Sequence, residues 1–122
     1  MDISDTLISF ETAKLAKEKG FIIPTLCYFR YDEKQCKGDL LDWNEDVGFY
    51  SRPTQSLLQK WLRDTHNIYL IVIPSYTDDN LLKSKYYFEI SHIRKLKQFH
   101  GDFKTYEEAL EEGLKTALNL LP

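Results

Sequence analysis

The sequence predicts an α+β fold in one domain spanning residues 1–122, with helices packed on a small sheet of about four strands in the order helix-strand-strand-helix-strand-strand-helix. Three observations carry this reading. Residues 105–121 join a helix-start signal to apolar residues at helical spacing. Residues 68–73 form an unbroken apolar and aromatic run of strand length, closed by Pro74. Residues 25–31 and 36–42 flank a short polar break and read as a hairpin.

The first helix is predicted over residues 9–19. Ser9 serves as its N-cap, Lys14, Lys17 and Lys19 fall toward its later turns, and Gly20 stops it. Its apolar face is thin: Phe10, Ala13, Leu15 and Ala16 suit close packing, and Phe21 can fold back against them. In the hairpin, the break Asp32-Glu33-Lys34-Gln35 sets Tyr31 opposite Cys36, Phe29 opposite Gly38 and Cys27 opposite Leu40. That register puts the two thiols on one face but about four residues apart along the ladder, beyond the reach of a disulfide.

A second helix follows at 54–65, where Leu57, Leu58, Trp61 and Leu62 recur at helical spacing, with either Pro53 in the first turn or Thr54 as cap. His66 and Asn67 end it. The run at 68–73 suits a central strand covered on both faces, and the polar stretch 75–85 reads as a mobile linker. Residues 86–93 then alternate, placing Tyr86, Phe88 and Ile90 on one face and Tyr87, Glu89 and Ser91 on the other. In the last helix Thr105 and Glu108 make a capping box, and Tyr106, Ala109, Leu110, Gly113, Leu114, Ala117, Leu118 and Leu121 form the buried stripe.

At 122 residues the chain is long enough for one core and too short to fill two. A hydrophobic content of 43% with eight Tyr, seven Phe and two Trp argues against global disorder. No apolar run approaches the roughly 20 residues that span a bilayer, and the opening Met-Asp-Ile-Ser-Asp lacks the basic start of a secretory signal, so a cytoplasmic protein without membrane contact is expected. The two cysteines fit neither a disulfide framework nor a metal knuckle. The net charge of −3 is uneven: residues 1–50 hold 6 basic and 10 acidic side chains, residues 51–100 hold 8 and 4, and residues 101–122 hold 2 and 5. An acidic balance of this kind opposes strong nonspecific nucleic-acid binding.

The search for chemistry yields little. Asp42, Asn44 and Asp46 alternate as in the opening of a calcium loop, but Val47 stands where that loop needs Gly and Pro53 where it needs a bidentate Glu. A solvated acidic loop is the simpler reading. His66, His92 and His100, separated by 26 and 8 residues, match no zinc spacing; His66 suits the carbonyl end of its helix, and the other two suit solvent. Cys27 alternates with Phe29 and Tyr31 and reads as a small buried side chain rather than a nucleophile. Ser51, Ser56 and Ser75 lie in no nucleophile elbow, and the five glycines supply no phosphate loop. No cofactor, metal or catalytic residue is expected.

The best binding hint is Tyr86-Tyr87-Phe88 followed by basic residues, an interleaving that can stack bases and hold phosphates. The contacts would be Tyr87, His92, Arg94, Lys95 and Lys97. The plainer account makes Tyr86 and Phe88 core residues and the cations a solvated strand end.

Three blocks, ETAKLAKEKGF at 11–21, RPTQSLLQKWLRD at 52–64 and YEEALEEGL at 106–114, resemble those of small uncharacterised proteins of Bacteroides-type phages and prophages. The resemblance implies a phage-type context and a compact α+β domain, and brings no activity with it. The expectation is therefore a non-enzymatic accessory protein that binds another macromolecule, foremost a protein, with self-association through sheet surface that the helices leave open. A nucleic-acid-binding module is the alternative. An exposed apolar patch favours the first, a basic aromatic surface the second, and a deep polar cleft an enzyme.

Overall fold

A computed structural model describes the backbone of residues 6–77, 80–92 and 95–122, with side chains described outside 76–84 and 93–100. The elements run α1 (Phe10–Glu18), β1 (Thr25–Arg30), β2 (Gln35–Leu41), a 3-10 turn (Trp43–Glu45), β3 (Phe49–Ser51), α2 (Gln55–His66), β4 (Ile68–Thr77), β5 (Asn80–His92), β6 (Lys95–Phe103) and α3 (Tyr106–Asn119).

Local chemistry starts the helices at caps the sequence predicts, although in α3 the Glu108 carboxylate accepts from Lys104 N–H rather than from Thr105 N–H. Ser9, Thr54 and Thr105 are the N-caps, their hydroxyls accepting from the N–H groups of Thr12, Leu57 and Glu108. Thr54 is thus the cap, and Pro53 stays outside the helix. At the end of α1, Gly20 takes a left-handed conformation with φ 92, and the N–H groups of Gly20 and Phe21 donate to the carbonyls of Lys17 and Ala16. This turn sends Phe21 back into the core, where it is 1% exposed. Asn67 closes α2 in the same left-handed region, at φ 56.

The strands form two antiparallel sheets of three, ordered β2-β1-β3 and β4-β5-β6. Among the described residues six strands replace the four expected, for a reason common to both additions. β3 has only three residues, and β6, Lys-Leu-Lys-Gln-Phe-His-Gly-Asp-Phe, has no clean alternation; each is recruited by backbone pairing to a neighbour rather than by its own pattern. The run beginning at Ile68 is an edge strand, not a central one. Ile68 and Leu70 are buried while Tyr69 and Ile71 are 45% and 50% exposed, because α2 and α3 lie on one side of the sheet. Pro74 does not end the strand, and an edge position tolerates its missing N–H. The expected linker at 75–85 is taken up by the ends of β4 and β5, with Ser75 opposite Lys85 and Thr77 opposite Asn80.

The first hairpin also differs in register. Cys27 faces Lys37, Tyr28 faces Cys36 and Phe29 faces Gln35, so the two thiols project to opposite faces rather than sharing one. The cause is the turn: Arg30 N–H donates to Lys34 C=O and Glu33 N–H to Arg30 C=O, with Glu33 at φ 68, which tightens the connection. Both cysteines are free thiols, and Cys27 is half-buried.

One hydrophobic core serves both sheets. It joins Ala13, Ala16, Phe21, Phe29, Leu58, Trp61, Leu62, Ile68, Leu70, Phe88, Ile90, Leu114 and Leu118, with Phe21 edge-on to Trp61 at 5.3 Å. The stripe of α3 is buried as predicted except Tyr106, which is exposed beside Tyr86. Gly113 brings α3 close to the β4-β5 face: a Cβ there would lie 2.6 Å from Leu70 Cδ1 and 3.2 Å from Phe88 Cγ.

Candidate interaction surface

Three aliphatic side chains of the first hairpin, Leu26, Leu40 and Leu41, stand in solvent, and two of them border a cavity. Leu26 is 48% and Leu40 63% exposed. They border an apolar cavity of about 250 Å³ together with Leu7, Pro24, Pro53 and Leu57. The chain before α1 shapes one side of it, since Ile8 N–H donates to Pro53 C=O at 3.1 Å and Gln55 N–H to Thr6 C=O at 2.7 Å. The cap at Thr54 fixes where Leu57 emerges.

Cys27 and Arg52 also border the cavity. The guanidinium is held on every side: Nε donates to Ile8 C=O at 2.8 Å, Nη1 to Gln35 Oε1 at 3.0 Å, and the group lies 4.5 Å from the Phe29 ring centroid. Burial lowers its pKa from the ordinary value, with Cys27 and Glu111 opposing. Arg52 thus ties β3 to β2 and to the N-terminal segment. Among the described residues, no histidine or carboxylate lines the cavity beside Cys27.

Of the sequence-predicted nucleic-acid contacts, only Tyr87 and His92 have described side chains. Tyr87 lies opposite Ile73, on the face of the β4-β5-β6 sheet turned away from the helices. His92, expected in solvent, is half-buried at the other face: it pairs in register with Ile68, and its Nε2 lies 3.1 Å from His66 C=O. Arg94 lies outside the described residues, and Lys95 and Lys97 are described only as backbone of β6, as is His100.

His66 is held by packing more than by its helix end. Its ring meets Trp61 edge-on at 4.7 Å, and with His92, Ile68, Leu120, Leu121 and Pro122 it lines a cavity of about 200 Å³. Burial lowers the His66 pKa from its ordinary value, and the neighbouring His92 adds to that. Among the described residues, His66 Nε2 and His92 Nδ1 are buried without a hydrogen-bond partner.

The acidic loop is structural. Asp42 caps Asn44 N–H, while the Asn44 amide donates to Phe21 C=O at 2.9 Å and accepts from Ser51 N–H at 2.8 Å. Those bonds use the oxygen that a cation would need. No cluster of three or more His, Cys, Asp or Glu able to hold a metal occurs among the described residues.

Sequence reasoning missed the Glu111 clasp. The Glu111 carboxylate accepts from Ser9 N–H at 3.0 Å, Ser9 Oγ at 2.9 Å, Thr12 Oγ1 and Gln55 Nε2 at 3.0 Å, joining α3 to α1 and α2. These bonds dock the three helices on one another. A lone Glu beside an apolar stripe carries no sequence signal of such a role.

Among the described residues no helix is long and apolar enough to cross a membrane. No known protein family, curated protein or solved structure matches the chain.

Proposed function

We propose that this chain is a non-enzymatic accessory protein, of the phage or prophage type suggested by its three sequence blocks and acting inside the cell, that works by binding a protein partner through the apolar cavity of the first hairpin. The observation that carries the reading is the exposure of Leu26 and Leu40 around a cavity lined by Leu7, Pro24, Pro53 and Leu57. Exposed aliphatic side chains grouped at a concavity suit a partner's apolar anchor residue, flanked by backbone and Arg52 for orientation. The cavity's mainly apolar lining suits binding of an apolar side chain.

The test compares capture from a host lysate by the wild type, by the Leu26→Asp/Leu40→Asp variant and by a variant with a distant exposed substitution, Thr65→Asp. A protein retained by the wild type and the Thr65 variant but lost at least about tenfold from the cavity variant supports the reading. Equal capture by all three rejects it. Salt-sensitive binding of single-stranded DNA or RNA by the wild type at near-physiological salt would favour the nucleic-acid alternative instead.

A further inference from the structure

β2 pairs with β1 on one side only, and its other side has no strand beside it among the described residues. Six of its seven residues are exposed. The direction of its backbone groups follows from the bonds already described. Arg30 N–H donates to Lys34 C=O, so position 34 faces β1; Cys27 C=O accepts instead from Arg52 N–H on the β3 side, so Lys37, opposite Cys27, turns its own N–H and C=O outward. Between the pairs Cys27–Lys37 and Thr25–Leu41 the ladder advances two residues on β1 and four on β2, an irregularity that takes in positions 38–40. Gln35 and Lys37 therefore offer the free edge, and because the excess on β2 is even, Asp39 and Leu41 fall in step with them where the strand stays extended.

We propose that this edge pairs with β2 of a second copy of the chain, antiparallel about a two-fold axis at Gly38. In that register Lys37 lies directly opposite Asp39 of the other copy, and Asp39 opposite its Lys37, giving two ion pairs across the seam. Outward-facing positions meet outward-facing positions, as the hydrogen-bond ladder requires. Charge also selects the register. A slip by two in one direction sets Lys37 against Lys37, and in the other sets Asp39 against Asp39, both repulsive at cross-strand distance. An unpaired Lys commonly guards a free edge against pairing; here an Asp two residues along removes that protection for one partner, the chain itself. The joined sheet would run β3-β1-β2-β2-β1-β3. Lys37 and Asp39 do not line the apolar cavity, although Leu40 of the same strand does, so exchanging these two charges tests the seam without altering the cavity lining.

The test is charge exchange read by molecular mass in solution. The wild type is expected at twice the chain mass of 14.4 kDa at about 0.1 mM. Lys37→Asp sets Asp against Asp, and Asp39→Lys sets Lys against Lys; each should weaken association at least about tenfold. An equimolar mixture of the two variants, and separately the Lys37→Asp/Asp39→Lys double variant, should recover the dimer, because opposite charges face each other again in both. All variants should keep the wild-type circular dichroism and melting temperature, since both side chains are exposed. A monomeric wild type, single variants that dimerise like it, or failure of the mixture to recover the dimer would each overturn the proposal.

Discussion

The β4-β5-β6 sheet turns Ile68, Leu70, Phe88 and Ile90 onto α2 and α3, whereas the β2-β1-β3 sheet buries Thr25, Phe29 and Ser51 and leaves β2 almost wholly in solvent. Equal strand numbers thus serve different ends. Where two helices cover one face, apolar burial stabilises the chain. Where cover is thin, Leu26, Leu40 and the β2 edge remain available to another molecule.

If stability resides in the covered half, Leu114→Ala should have the largest effect, about 2 to 5 kcal/mol, because Leu114 is fully buried in the α3 stripe. A shift in urea midpoint measures it, and an unchanged midpoint would break the comparison. Gly113→Ala should follow at about 1 to 3 kcal/mol, as the new methyl meets Leu70 and Phe88. Better helix propensity offsets part of that cost; a stabilised variant would show the α3 contact to be looser than described.

Protonation probes the same half more gently. The folded-state pKa of His66 lies below its ordinary value of 6.5, so the unfolded chain takes up the proton first. The His66 contribution is therefore complete above about pH 6.5 and declines as the pH falls through the window between 6.5 and the folded-state value. The melting temperature of the wild type should decrease across that window, and His66→Gln should flatten the decrease. An identical slope in both would assign it elsewhere. The smallest effect is expected in the open half: Leu40→Ser should change stability by no more than about 0.5 kcal/mol, measured by the same urea titration. A larger loss would move Leu40 into the core.

The helices are legible in the sequence because their signals are local: Ser9, Thr54 and Thr105 cap them, and the α3 stripe buries as its spacing requires. The strand character of 68–73 is equally local, but its cover is not, since that depends on α2 and α3 docking on the same face. The hairpin register turns on Glu33 at φ 68, a conformation its side chain does not advertise. The apolar cavity is hidden for a different reason. Leu7, Leu26, Leu40 and Leu57 come from four separate segments, each with an unexceptional aliphatic residue, and only the fold brings them to one rim.

The Glu111 clasp bears on how the chain is made. Ser9 and its acceptor are 102 residues apart, so a ribosome must add all of those residues before α1 can find the carboxylate that holds it. Until then Ala13 and Ala16 lack much of their core, while the successive strands β4, β5 and β6 need only neighbours close in sequence. The meander can form early, and the first helix waits for the last.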